Sequence, residues 1–225
     1  MNISIKQNEI TRRRLLEHYR RYPRLELEDV LKFLFQSSFG CEHMLSDRDT
    51  AIGYIKQEYA DVDKSLPPLV EQLDGDYSRV HLYWLSAGLS AETLTSLFVL
   101  SAKKELHGRE ALEEKLAVAR ELILEGKLPL DIGRFDATVA EWCELGYPAI
   151  HHSEAFCAIY RPAYRVIGSR YAELLPILSR IDSLLARGEQ KITLDGITEE
   201  QKSALEPVLR EIYPNLDMNY SRTLK

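Results

Sequence analysis

Two segments, far apart in the chain, concentrate the residue types that could do acid–base or ligand-binding chemistry. The first runs over residues 36–44 and reads Q-S-S-F-G-C-E-H-M; the second runs over 151–165 and reads H-H-S-E-A-F-C-A-I-Y-R-P-A-Y-R. Both place His, Glu, Ser and Cys beside aromatic side chains, a composition typical of partly buried polar pockets. If the two segments meet in the fold they define one site, but their residues do not name a reaction.

In the first segment, His43 is the candidate acid–base group, because the pKa of histidine lies near neutrality. Glu42 lies next to it, and Gln36 and Ser37 could bind and orient a ligand. Gly40 indicates a tight bend or a close approach of another part of the chain. The alternative is an ordinary helix C-terminus, in which Gly40 ends the helix and His43 lies on the surface.

In the second segment, Ser153 is predicted to cap a short helix that Pro162 then interrupts. The free amides of such a helix start could hold an anion. His152 and Glu154 are the other two candidate catalytic residues. Helical spacing places His152 on the same inward side as Phe156.

Two arginines of this segment, Arg161 and Arg165, favour an anionic ligand, because a guanidinium matches a carboxylate or phosphate in a two-point fork. Tyr160 and Tyr164 would contribute hydroxyl groups and ring faces to the same ligand site. The sequence therefore predicts binding of a small anionic, phosphate- or nucleoside-like molecule between the two segments. The alternative of equal weight is that the arginines pair with acidic residues in a structural network.

Two other functions stay open, and so does the question of whether the chain is an enzyme. One is a metal-dependent hydrolase, whose metal ligands would be His43, His151, His152 and Cys157. No C-x-x-C or H-E-x-x-H spacing supports that site, so no metal or other cofactor is predicted. The other is a structural or partner-binding helical module without catalysis; its protein partner is unknown.

Composition indicates an ordinary globular protein: 225 residues, 45% hydrophobic and 28% charged. No apolar run approaches the roughly 20 residues that span a bilayer, and the polar first ten residues do not form a secretory signal, so no membrane partner is expected. Three cysteines at irregular spacing give no disulfide framework. We therefore expect a cytoplasmic protein.

Charge is distributed unevenly along the chain. Residues 1–24 carry seven lysines and arginines against two glutamates, although the net charge is −6. A basic first helix could bind a phosphate-bearing partner or dock on the acidic remainder of the chain. Because no second basic stripe or aromatic platform accompanies it, docking is favoured and nucleic-acid binding is not.

The elements that must position these residues are mainly helical. Apolar spacing, caps and glycine stops predict helices near 8–22, 26–38, from 47 onward, 91–107, 109–125, 135–145, 168–187 and 198–213. A β-hairpin over 69–84 turns at Asp74-Gly75. The prediction is one mainly α, bundle-like domain over 1–225, with possible lobes at 1–66 and 91–225 on either side of the hairpin.

The second hairpin strand alternates two sets of side chains. Val80 and Leu82 share one face, and Arg79, His81 and Tyr83 share the other. We interpret the polar face as solvent-exposed, in preference to the wall of a pocket.

The Q-S-S-F-G-C-E-H-M segment, the H-S-E-A-F-C-A-I-Y-R-P-A-Y-R-V-I segment and a later I-T-L-D-G sequence resemble a poorly characterised family of bacterial helical domains. The resemblance covers about residues 10–195. In some members a P-loop domain similar to uridine kinases follows the helical region. Here about thirty residues follow Ile192, too few for such a domain. The resemblance therefore implies the helical part alone, handling a nucleoside- or phosphate-like ligand.

Overall fold

The computed structural model of the chain describes residues 3–40, 47–74, 76–102, 108–189, 191–196 and 198–221. These residues form eleven helices and five strands, which confirms a mainly α fold with a small β-hairpin. None of the described helices combines the length and the apolar character needed to cross a bilayer.

The helices lie close to where apolar spacing places them. They are α1 (Ile3–Arg21), α2 (Leu27–Phe39), α3 (Arg48–Ala60), α4 (Tyr83–Ser86), α5 (Ala91–Ala102), α6 (Gly108–Leu124), α7 (Ile132–Glu144), α8 (Glu154–Tyr160), α9 (Ser169–Ala172), α10 (Leu175–Ala186) and α11 (Glu199–Ile212). The single helix expected over 168–187 is in fact two, α9 and α10. Gly108, expected to end a helix, instead begins α6.

Five strands form two sheets. They are β1 (Val70–Asp74), β2 (Tyr77–His81), β3 (Tyr164–Gly168), β4 (Lys191–Asp195) and β5 (Asp217–Ser221). The first three form an antiparallel sheet in the order β1-β2-β3, and the last two pair in parallel. The predicted hairpin is therefore present, but its second strand stops at His81, and Tyr83 begins α4. Strand β3 was not expected and makes β2 the central strand.

Helix α2 lies at the centre of the fold, as its nearly continuous apolar sequence predicts. Val30, Leu31 and Leu34 have no exposed surface. The helix ends at Gly40, which has a φ of 66°. A Cβ at this position would lie 2.8 Å from the ring of Tyr77, so both the conformation and the close approach call for glycine. This agrees with the tight bend predicted from the sequence.

Helix α1 docks on the body through charge as well as apolar packing. Arg12 pairs with Glu121 of α6 and with Glu125, the residue that follows this helix, and Arg14 donates to Gln72 of β1. On the inward side, Leu15 is 1% exposed. The docking interpretation of the basic first helix is therefore confirmed for these arginines.

One carboxylate joins the C-terminal part of the chain to the helices before it. Asp182 of α10 accepts hydrogen bonds from the backbone N–H of Ser90 at 2.7 Å and from the hydroxyl groups of Thr93 at 2.9 Å and Tyr213 at 2.5 Å. Three elements, α5, α10 and the end of α11, are thereby held at one point.

Candidate functional site

The two polar segments meet, as far as the structure describes them. The hydroxyl group of Tyr164 lies 2.7 Å from Nε2 of His152 and 3.3 Å from Oε1 of Gln36. Gln36 lies on the last turn of α2, His152 just before α8, and Tyr164 at the start of β3. Residues Glu42 and His43, and with them Cys41, lie outside the described residues.

Asp29 of α2 binds the start of α8. Its carboxylate accepts from the backbone N–H of Ser153 at 3.0 Å, the Ser153 hydroxyl at 2.8 Å and the backbone N–H of Glu26 at 2.8 Å. Nδ1 of His152 lies 2.8 Å from the same carboxylate. Ser153 caps α8 as predicted, by accepting from Phe156 N–H. The place where the sequence suggested a bound anion is therefore filled by a carboxylate of the chain itself.

Arg79 lies at the centre of this polar cluster and is fully buried. Its Nε donates to Oε1 of Gln36 at 2.9 Å, and its Nη1 donates to Glu71 at 3.2 Å. The other carboxylate oxygen of Glu71 lies 2.7 Å from Nδ1 of His18. The guanidinium also lies 4.6 Å from the ring centroid of Tyr164. The prediction that this face of β2 is exposed to solvent is therefore wrong.

The electrostatics of the cluster follow from its burial. Burial opposes the charge on Glu71, but the Arg79 guanidinium and the His18 hydrogen bond outweigh it and lower the pKa of Glu71 to about 2. Burial lowers the pKa of His152 to about 4, against the hydrogen bond to Asp29. Burial likewise lowers the pKa of His18. The cluster at neutral pH thus contains ionised Glu71 and Arg79 and neutral histidines.

The other predicted site residues are distributed more widely. Ser37 is buried, donates to the carbonyl of Leu34 and accepts from Lys115 at 3.1 Å. Arg165 forms a two-point pair with Glu58, with both distances 2.8 Å, as the structural alternative predicted.

The two remaining predicted residues of the second segment, Glu154 and Arg161, are exposed. Glu154 begins α8, and Arg161 ends it with a φ of 43°. Neither lies in the cluster around Arg79, so the structure does not bring them to His152 and Tyr164.

His81 is a polar residue that the sequence interpretation placed on a solvent-exposed face, in preference to the wall of a pocket. It is 4% exposed, and neither of its ring nitrogens has a hydrogen-bond partner among the described residues. Burial lowers its pKa to about 4, so the ring is neutral at neutral pH. The available signal was a charged and a titratable residue on one short strand in a helical chain. These two residues indicate a buried polar site only when both faces of the sheet are known to be covered.

His81 lies in the wall of a cavity of about 380 Å³, which we call the His81 pocket. The pocket is lined by Arg21, Tyr22, residues 66–69, His81, Tyr83, Tyr160 and Pro162. Among the predicted ligand-binding residues that the structure describes, Tyr160 alone lines it. Its hydroxyl group accepts from the backbone N–H of Arg24 at 3.1 Å. The volume falls in the lower part of the range usual for small-molecule sites.

No group of three or more His, Cys, Asp or Glu side chains in the described part of the chain is arranged to hold a metal ion. His151 and Cys157, two of the proposed metal ligands, are exposed, and both nitrogens of His152 contact protein groups.

No protein-family model, curated protein or solved structure matches the chain. The resemblance to bacterial helical domains therefore stays a prediction, and the functional argument depends on the geometry of the site.

Proposed function

We propose that the protein binds a small anionic ligand in the His81 pocket. The observation that carries the proposal is His81 itself, a buried imidazole in a cavity wall, whose two nitrogens have no hydrogen-bond partner among the residues that the structure describes. A polar group buried without a hydrogen bond costs about 1–3 kcal/mol of stability. A ligand that supplies the missing partner recovers that free energy on binding.

Charge supports an anion. Of the residues that line the pocket, all of them within the described part of the chain, only Arg21 carries a full charge at neutral pH. It is exposed at the end of α1, where a guanidinium can form a forked contact with a carboxylate. Glu71 lies behind the pocket, but its charge is already balanced by Arg79.

The strand and its neighbours hold the imidazole of His81, whose ring nitrogens are both buried in the free protein. The backbone N–H of His81 donates to the carbonyl of Leu69 at 3.1 Å, and the residue pairs with Tyr164 across β2 and β3. Its ring stacks on Tyr83, with centroids 5.4 Å apart. Sites built on strands and fixed by their neighbours hold a polar group in place before the ligand arrives.

In this proposal His152 is a positioning residue rather than a catalytic one. Both of its nitrogens contact protein groups, and its ring stacks on Phe156 at 4.3 Å. We assign no reaction to the protein. The proposed setting is the cytoplasm, in keeping with the free thiols of Cys143 and Cys157.

A second candidate function is a structural module without a ligand. The saturated carboxylate of Asp29 and the Arg165–Glu58 pair favour it, because both satisfy polar groups entirely within the protein. This candidate gives no role to the nitrogens of His81, for which the described part of the chain offers no hydrogen-bond partner.

The test is a thermal-shift and calorimetric titration with propionate, succinate, benzoate and inorganic phosphate, applied to the wild type and to His81→Phe. A ligand at ten times its dissociation constant should add about 1.4 kcal/mol to the free energy of unfolding. We expect at least one of these anions to stabilise the wild type and none to stabilise His81→Phe. The proposal would be contradicted if an anion stabilised both proteins equally, or if none of the four anions stabilised the wild type.

A further inference from the structure

We infer that the ligand of the His81 pocket is an aromatic monocarboxylate, a flat ring that carries one carboxylate group. The inference rests on the proposed function and adds to it the shape and the charge of the ligand. Three properties of the pocket carry it: flat walls, a single cation, and hydrogen-bond donors with no described acceptor.

The walls of the pocket are made of rings. His81 and Tyr83 stack with an angle of 26° between their planes, and Tyr22 and Tyr160 meet edge to face with centroids 5.0 Å apart. Residues 66–69, which include two prolines, form a further wall. Aromatic pairs stabilise each other beyond the burial of their apolar area, and only a flat guest can use ring faces in this way.

A single cation in the pocket favours a single negative charge. Arg21 can balance one carboxylate, whereas a phosphate monoester would bring about −1.5 to −2. Burial and, after it, the negative charge of Asp63 raise the pKa of Tyr83, so this carboxylate acts on the wall of the pocket. Asp63 does not line the pocket, but its charge further disfavours a dianion.

Two donors in the wall complete the match. A neutral His81 offers one N–H group and one bare nitrogen. The Tyr160 hydroxyl accepts from Arg24, and its own proton has no acceptor among the described residues. Once the His81 nitrogens, which are buried in the free protein, turn toward the cavity, a carboxylate beside Arg21 can accept from both donors. The bare nitrogen of His81 then suits a hydroxyl or N–H group on the ring of the ligand.

The experiment separates shape from charge with matched probes. Benzoate has the ring and the charge, benzamide has the ring alone, cyclohexanecarboxylate has the charge on a ring that is not flat, and phenyl phosphate has the ring with a larger charge. Binding is followed by calorimetry and by the ring signals of His81 in NMR spectra. The variants are Arg21→Gln and, as a matched control, Arg20→Gln, which alters the neighbouring exposed arginine outside the pocket.

We expect benzoate to bind at least about tenfold more tightly than benzamide, since a hydrogen bond to a charged group is worth at least that much. Arg21→Gln should lower the affinity for benzoate by about the same factor, whereas Arg20→Gln should leave it unchanged. We also expect benzoate to bind more tightly than cyclohexanecarboxylate and phenyl phosphate.

Each contrary outcome identifies what fails. Equal binding of cyclohexanecarboxylate, or tighter binding of phenyl phosphate, overturns the aromatic monocarboxylate and leaves anion binding in place. Equal binding of benzamide removes the carboxylate from the inference. If none of the four probes moves the His81 signals, the inference fails; the proposed function fails with it only if propionate, succinate and inorganic phosphate also leave the melting transition of the wild type unchanged.

Discussion

Replacing His81 with phenylalanine should make the free protein more stable. A phenyl ring keeps the shape and the stacking on Tyr83 but has no nitrogen atoms to leave unpaired. The same substitution at His18 and at His152 should do the opposite. His18 contacts Glu71, and His152 contacts Asp29 and Tyr164, so removing either imidazole leaves a buried partner short of a hydrogen bond.

The magnitude follows from what burial costs a polar group. Removing an unsatisfied buried imidazole should raise the free energy of unfolding by about 1–3 kcal/mol. Removing a bonded one should lower it by about 1–3 kcal/mol, because the desolvated partner is left behind. In a chain of this size each 1 kcal/mol moves the melting temperature by roughly 2–4 °C.

The assay is urea unfolding of the wild type and the three variants at pH 7.5, with circular dichroism as the readout and the slope of the unfolding curve as a check on the transition. His81→Phe must raise the free energy of unfolding, and His18→Phe and His152→Phe must lower it. If His81→Phe destabilises the protein as much as His18→Phe does, the imidazole of His81 has a structural partner and the argument for a ligand is refuted.

Three further predictions concern stability. Acidification from pH 6.5 to 4 should lower the free energy of unfolding, because histidines of the unfolded chain bind protons in this range and the buried histidines do not. Each histidine whose pKa is lowered to about 4 should reduce the free energy of unfolding by about 3 kcal/mol over this range. Below pH 4.5 the lowered pKa of Glu71 adds to the loss, and urea unfolding at pH 7.5, 6, 5 and 4 measures both. Asp29→Asn should destabilise by about 2–4 kcal/mol, because an amide cannot accept all the hydrogen bonds that the carboxylate accepts, whereas Asp136→Asn, which breaks an exposed pair with an arginine, should leave the melting temperature unchanged. Gly88→Ala should destabilise by more than about 1 kcal/mol, since its φ is 97° and its Cβ would lie 3.2 Å from the Ser179 carbonyl, whereas Gly53→Ala, in an open and exposed helical position, should stabilise by about 0.5–1 kcal/mol.

The controls decide these three tests. A free energy of unfolding that stays constant from pH 7.5 to 5 would contradict the lowered histidine pKa values. An Asp29→Asn variant as stable as Asp136→Asn would mean that the carboxylate does not join α2 to α8. A Gly88→Ala variant as stable as Gly53→Ala would remove the close approach to Ser179.

Much of the fold could be predicted because it depends on local patterns. The apolar run of α2 indicates a central helix in any surroundings, and Ser153 and Asp47 cap their helices through their own side chains. The Asp74-Gly75 pair in the sequence predicts a hairpin, and the strands before and after it, β1 and β2, do pair. In each case, the residues that predict the element lie within a few positions of the element that they form.

The candidate site depends on contacts between distant residues, so most of it could not be predicted. Strand β3 forms because residues 164–168 pair with β2. No cap or turn within that segment allows the pairing to be predicted from the sequence. Burial of Arg79 and His81 requires α1 and α2 to cover the sheet. Arg165 was assigned to a ligand, whereas Glu58, more than a hundred positions away, pairs with it. Spacing along the chain carries no information on such partners.

The two edges of the central strand β2 join in very different ways. On one side, β1 is its immediate neighbour along the chain; on the other, the serine hydroxyl groups of Ser78 and Ser169 contact each other across 91 positions. Closing so long a loop is slow and entropically unfavourable compared with forming a hairpin. During synthesis the hairpin can therefore exist on the ribosome well before Tyr160 and β3 emerge to enclose His81. A nascent chain must expose this histidine to water until its last third has been made.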